Sequence, residues 1–173
     1  MKEITYYPHP TDNMWNSEVE TLIPWLSGRG VDIGSSNRSI FPGVVRVDFD
    51  ESRDPDILAS GDNLPFNDGQ FDYLYSVHSF EHFDDQIKLL DEWARVVKKG
   101  GIIAIVHPDV EFTGVQKPIE QNMDKNPFNK HFHERTRDEF IKWFESLGRI
   151  DLKIIDSGIA CGHWSFYIIL QHV

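Results

Sequence analysis

The stretch Gly30-Val31-Asp32-Ile33-Gly34-Ser35-Ser36-Asn37 constrains this chain more than any other. A short apolar strand runs into Asp-x-Gly and a turn of small residues. Fourteen positions beyond Gly34, a second strand ends in Val47-Asp48. A glycine lets backbone approach a ligand closely, and an acid closing the next strand accepts bonds from sugar hydroxyls. The pattern suits a nucleoside with free ribose hydroxyls.

The bulk properties narrow the partners. At 173 residues the chain is expected to form one domain over residues 1–173. Its formal net charge of −11 repels phosphate backbones, so nucleic acid is a disfavoured partner. Lys98-Lys99 is the longest basic cluster and falls where a helix should end, where cations meet the helix dipole favourably. The single cysteine, Cys161, excludes an internal disulfide and a cysteine-based zinc cluster. The segment MKEITYYPHP lacks the apolar run of a signal peptide, and no segment reaches the ~20 apolar residues that span a membrane. A cytoplasmic location is the expectation.

Taken in order, residues 1–12 read as an irregular arm. Apolar positions Trp15, Val19, Leu22, Ile23 and Leu26 predict a helix over residues 13–26, which Pro24 should kink or end. Strands are expected at 31–33, 44–48, 56–59, 71–77 and 102–106. Only residues 35–43 separate the first two, too few for an ordinary helical crossover, so the helix after strand one is shortened. Asp84 can cap a helix through Lys98 with Ile87, Leu90, Ala94 and Val97 inward, ended by Gly100. Residues 107–135 are irregular and proline-rich, and a span this long reads as a lid or substrate loop. Thr136-Arg137-Asp138-Glu139 is a capping box opening a helix with Phe140, Ile141, Phe144 and Leu147 inside, closed by Gly148. Ile150, Leu152 and Ile154 alternate as an edge strand, and residues 163–171 form a last strand antiparallel to it. Alternating helices and strands followed by an antiparallel pair give an open α/β sheet with its ligands at the strand carboxyl ends.

Here the chain resembles the class I S-adenosylmethionine-dependent methyltransferases. The resemblance rests on Val31-Asp32-Ile33-Gly34, Val47-Asp48, Gly61-Asp62-Asn63-Leu64-Pro65-Phe66, Phe71-Asp72, Ser79-Phe80-Glu81-His82 and the run from Ala94 to Gly101, in family order. It implies a Rossmann-like, open, mostly parallel sheet of seven strands ordered 3-2-1-4-5-7-6, strand seven antiparallel, with helices on both faces. It also implies S-adenosylmethionine as cofactor. Asp32, Gly34, Ser35 and Ser36 would surround the methionine end, and Asp48, followed by Phe49, would meet the ribose. Asp62, Asn63 and Leu64 would frame the adenine, and Ser76 would line the sulfonium side. The family loop prefers Asp-x-Gly-x-Gly-x-Gly, whereas this chain has Ser36 and Arg38 at the later glycine positions. That departure motivates one alternative, a methyltransferase-fold binding or scaffold protein without turnover. An NAD-linked oxidoreductase requires G-x-G-x-x-G after strand one, which is absent.

The acceptor side is less defined. Ser76-Val77-His78-Ser79 is not the Asn/Asp-Pro-Pro-aromatic run that resembling enzymes use on base or glutamine nitrogens. With the negative charge, this points to a small-molecule or saccharide acceptor, methylated at oxygen. Removing a hydroxyl proton assists such a transfer, and a neutral histidine can do it near pH 7. His78, His107, His131 and His133 are the candidate bases. Such side chains can also form an oxygen–nitrogen metal site, but their spacing matches no short zinc motif and no metal ligand is assigned. Glu81-His82 reads as a structural corner beside the pocket.

Overall fold

In a computed structural model, which describes residues 18–36, 43–111, 130–160 and 165–173, seven strands form one sheet. They are β1 Gly30–Ile33, β2 Val45–Asp48, β3 Ile57–Leu58, β4 Phe71–Val77, β5 Val97–Pro108, β6 Leu152–Ala160 and β7 Ser165–His172. Their order is β3-β2-β1-β4-β5-β7-β6, with β7 antiparallel to β5 and β6 and the other pairs parallel. This is the topology the resemblance implies. The arm at 1–12 and the central part of the expected lid, 112–129, lie outside the described residues.

The inner strands are apolar because both faces are covered. Val31, Ile33, Leu74, Ile103 and Ile105 join one cluster, and Tyr73, Tyr75, Val77, Ala104 and Val106 join the other. Two helices cover the first face, α1 Gln86–Val96 and α2 Arg137–Ser146. Leu89, Leu90 and Trp93 of α1 and Phe140 of α2 are fully buried there. Among the described residues the second face is covered by the segment 18–26, through Val19, Leu22 and Leu26.

Several local expectations change. Asp85, not Asp84, caps α1, accepting from Lys88 N–H at 2.9 Å. Leu90, Ala94 and Val97 are buried as expected, joined by Gln86, Leu89, Trp93 and Val96, whereas Ile87 is half exposed. The helix stops at Val96 because Val97 already pairs with β4, so Gly100 (φ +80°) lies within β5 rather than ending a helix. Residues 13–17 of the predicted N-terminal helix lie outside the described residues. Glu18–Glu20 is helical, and Ile23–Trp25 forms a 3-10 turn that holds Pro24 in its first positions, where the missing N–H is not needed. Ile150 precedes β6 and is exposed. The capping box on α2 forms as expected, with Thr136 and Glu139 bonded reciprocally. No helix among the described residues is long and apolar enough to cross a membrane.

Candidate active site

The carboxyl ends of β1, β2 and β4 build one half of a cleft. Gly34 takes φ +73°, and a Cβ there would collide with the Ser79 hydroxyl, so the β1 turn and the segment after β4 touch at this glycine. Ser36 stands at a position where the family prefers glycine, yet it adopts φ +53°. A left-handed non-glycine residue costs about 1–2 kcal/mol. Its N–H donates to Asp48 Oδ2 at 2.9 Å, and Asp50 N–H donates to Asp48 Oδ1 at 3.0 Å. Each carboxylate oxygen thus spends one lone pair on the backbone and keeps another. Phe49 beside it is half exposed.

Two sequence-named residues sit differently from their expected positions. Asp32 is not at the strand tip: it points into the second face of the sheet, buried, where Tyr75 Oη donates to its Oδ2 at 2.8 Å. Ser76 is also fully buried, and its hydroxyl donates to the Ile33 carbonyl at 3.0 Å. It fastens β4 to the end of β1 rather than presenting a hydroxyl to the cleft.

The opposite rim, residues 61–68, is held by α1. Trp93 Nε1 donates to the Gly61 carbonyl at 3.0 Å, and Leu64 N–H donates to Glu92 Oε1 at 2.6 Å. Arg95 donates to the carbonyls of Leu64 (3.1 Å) and Phe66 (2.7 Å). Asp62 accepts from Ser60 Oγ at 2.5 Å and from Lys88 Nζ at 2.7 Å, and these bonds hold its carboxyl below the usual range. Asn63 is exposed and Leu64 buried.

Beyond the carboxyl ends of β4 and β5 stands a wall of histidines and carboxylates, of which Glu18, Glu81 and His107 are buried. His78, with φ +53°, places Nε2 2.8 Å from Glu18 Oε1 and Nδ1 3.7 Å from Glu81 Oε1. Ser165 Oγ donates to the same Glu18 oxygen at 2.5 Å. Burial works against the imidazolium, but Glu18 and Glu81 outweigh it and push the His78 pKa up to about 10. Burial likewise opposes the Glu81 carboxylate, yet His78 and His107 bring it down to about 2. His107 is fully buried, its Nδ1 donating to the Pro108 carbonyl at 2.8 Å, and burial pushes its pKa down. His131 is lowered too, by burial first, and is 16% exposed. His133 Nε2 donates to the Asp84 carbonyl at 2.8 Å.

Comparison with known proteins shows the family of the chain. Residues 38–105 match the family described as a methyltransferase domain. An uncharacterised protein of Methanocaldococcus jannaschii is 31% identical over 156 residues, covering 81% of this chain and 74% of that protein. The chain belongs to the class I S-adenosylmethionine-dependent methyltransferases. The tocopherol O-methyltransferase of Arabidopsis thaliana is 34% identical over 62% of this methyltransferase, which spans only 31% of that protein's length. Among solved structures, a SAM-dependent methyltransferase of Thermotoga maritima shares the fold at TM-score 0.63 and 23% identity, over 91% of this chain and 88% of that one. The geranyl diphosphate C-methyltransferase of Streptomyces coelicolor, in complex with Mg2+, geranyl diphosphate and S-adenosyl-L-homocysteine, does so at TM-score 0.69 and 13% identity, over 94% and 79%.

S-adenosylmethionine is the cofactor of this methyltransferase, and the residues present fit it. Gly34 leaves no side chain between the turn and Ser79, and Asp48 keeps an acceptor position on each oxygen for two vicinal hydroxyls. The sequence reading missed Glu18 and Ser165, and treated Glu81 as a corner. No motif could have found Glu18 or Ser165. They lie 147 positions apart and meet only because β7 returns beside β5.

Proposed function

We propose that this methyltransferase transfers the cofactor's methyl group to an oxygen of a small polar molecule or a saccharide. The cofactor supplies an activated methyl on a sulfonium when bound. What the protein adds is alignment and proton management. In this reading Asp48 holds the ribose hydroxyls, with Phe49 beside the base. Asp62, Asn63 and Leu64 frame the adenine, and Gly34, Ser35 and Ser36 receive the methionine end. Asp32, tied to Tyr75, stiffens β1 beneath it, and Ser76 does the same from β4.

The observation that carries the acceptor class is the histidine–carboxylate wall, which is suited to polar hydroxyl groups rather than to an apolar or polyanionic acceptor. His78, held as a cation by Glu18 and Glu81, donates a hydrogen bond and takes no proton at neutral pH. His107 is sealed inside the core. His131 and His133 remain as the proton acceptors of this site. The tocopherol O-methyltransferase likeness supports oxygen as the target.

The test is calorimetry with S-adenosylmethionine, followed by a screen of polyols, phenols and sugars for S-adenosylhomocysteine release and O-methyl signals by NMR. Micromolar cofactor binding and a new O-methyl resonance are expected. Absence of binding by the folded protein at millimolar cofactor, or methyl groups appearing only on nitrogen or carbon, overturns the reading.

A further inference from the structure

The segment 130–133 lies directly against the turn 80–84. Phe132 N–H donates to the Glu81 carbonyl at 2.9 Å, His82 Nδ1 to the Lys130 carbonyl at 3.1 Å, and His133 Nε2 to the Asp84 carbonyl at 2.8 Å. Three cross-links over so short a contact fix the side chains between them. Glu81, His82 and His131 each bring one ligand-type atom to within 4.8 Å of the other two. The two imidazole rings meet edge-on at 4.8 Å between centroids.

The tautomer of His82 is set for coordination. His82 spends Nδ1–H on a backbone carbonyl, which leaves the Nε2 lone pair free to bind. His131 turns Nδ1 toward Glu134 Oε1 at 3.3 Å and Nε2 toward Glu81 Oε1 at 4.0 Å. Orientation of a ligating histidine by a carbonyl or carboxylate on its far nitrogen is the common supporting arrangement of metal sites. Glu81 is 1% exposed, and its Oε2 has no hydrogen-bond partner among the described residues. A buried carboxylate oxygen left without a donor costs about 1–3 kcal/mol or more, so its retention needs a reason.

We propose that Glu81, His82 and His131 form a binding site for a first-row divalent transition-metal ion, Zn2+ being the fitting probe. Two imidazoles and one carboxylate favour such borderline ions over Mg2+ or Ca2+, which take oxygen ligands. Bonds of about 2.0–2.1 Å place tetrahedral ligand atoms about 3.3 Å apart. The widest gap here closes by about 1.5 Å, within reach of small χ rotations of the partly exposed His82 and His131. Three protein ligands leave at least one coordination position for an acceptor oxygen. That use of the site rests on the methyl-transfer reading, and in it His133 is the remaining proton acceptor. Ion binding itself does not rest on that reading.

The experiment uses the untagged, chelator-stripped chain titrated with Zn2+ by calorimetry and with Co2+ by visible absorption, with folding followed by circular dichroism. One ion per chain, with tetrahedral Co2+ bands, is expected. Glu81→Gln, His82→Ala and His131→Ala should each weaken Zn2+ binding at least tenfold, and His172→Ala should leave it unchanged. His82 and His131 are partly exposed, so their variants keep the test valid if the Glu81 variant misfolds. No stoichiometric uptake by folded protein, or uptake equal in wild type and all three variants, overturns the site. Cofactor calorimetry on the same samples separates this failure from failure of the methyltransferase reading.

Discussion

The two halves of the cleft are built by opposite means. The half we assign to the cofactor is mostly backbone: a left-handed Gly34 and Ser36, a carboxylate pinned by two N–H groups, and a rim whose carbonyls and amides are held by α1. Its parts come from three short stretches, at residues 34–36, 48–50 and 61–68. The half we assign to the acceptor is side chains converging from Glu18, His78, Glu81, His107, His131 and Ser165, five stretches of chain brought together by strand order. A backbone cradle depends less on side-chain identity, and Ser36 takes the left-handed conformation at a position where the family loop prefers glycine. A converging wall has charges to keep balanced, and there each side chain depends on the others.

That contrast can be broken in order of effect. Glu18→Ala removes the close carboxylate partner of His78, leaving an imidazolium with Glu81 at 3.7 Å. Loss of one member of a buried pair costs about 3–5 kcal/mol, and the one-third exposure of His78 places this case at the low end, about 3 kcal/mol by urea denaturation. Cofactor affinity in the folded fraction should stay within twofold; a large fall in it would merge the two halves.

Asp48→Ala should do the reverse. Affinity for S-adenosylmethionine drops by about 1.5–3 kcal/mol, the range for hydrogen bonds to a charged group, as read by calorimetry. An unchanged Kd would remove Asp48 from the cofactor site. On α2, which carries Phe140 beneath the wall, Thr136→Ala deletes one side of the capping box and should lower stability by about 1 kcal/mol. Restoration by Thr136→Ser would show that the hydroxyl, not the methyl, is responsible.

The smallest effect sharpens the comparison through pH. Glu92 is held below the usual carboxylate range by Arg95, against burial, with help from the Leu64 N–H. A lowered folded pKa means the unfolded chain binds protons first, so this stabilisation is present above about pH 4.5 and is lost as pH falls through the folded value. Glu92→Gln should therefore lose about 1 kcal/mol at pH 7, and the gap to wild type should shrink below pH 4. A constant gap across that range would deny the charge any part in holding the rim.

Legibility follows the same division. The strand spans 71–77, 30–33 and 45–48 and the capping box at Thr136 could be read within a residue, because periodicity and capping are local. The order of the strands came through the resemblance carried by six short stretches. Of the face read for α1, Leu90, Ala94 and Val97 are buried and Ile87 is not; Asp84 and Asp85 can both cap, and the helix uses Asp85. The histidine–carboxylate wall was legible only as scattered histidines. Sequence named His78, His107 and His131, and Glu81 only as a corner, but not the Glu18 that pairs with His78, since a pair 60 positions apart leaves no trace in spacing.

The bonds from Trp93, Glu92 and Arg95 to the 61–68 rim have a consequence for how such chains can be recombined. A helix whose polar face is committed to one neighbouring loop is inherited with it or not at all. Grafting residues 61–68 into a relative with a different α1 would strand the amides and carbonyls that these three side chains satisfy. A graft spanning residues 61–96 carries these donors and acceptors together.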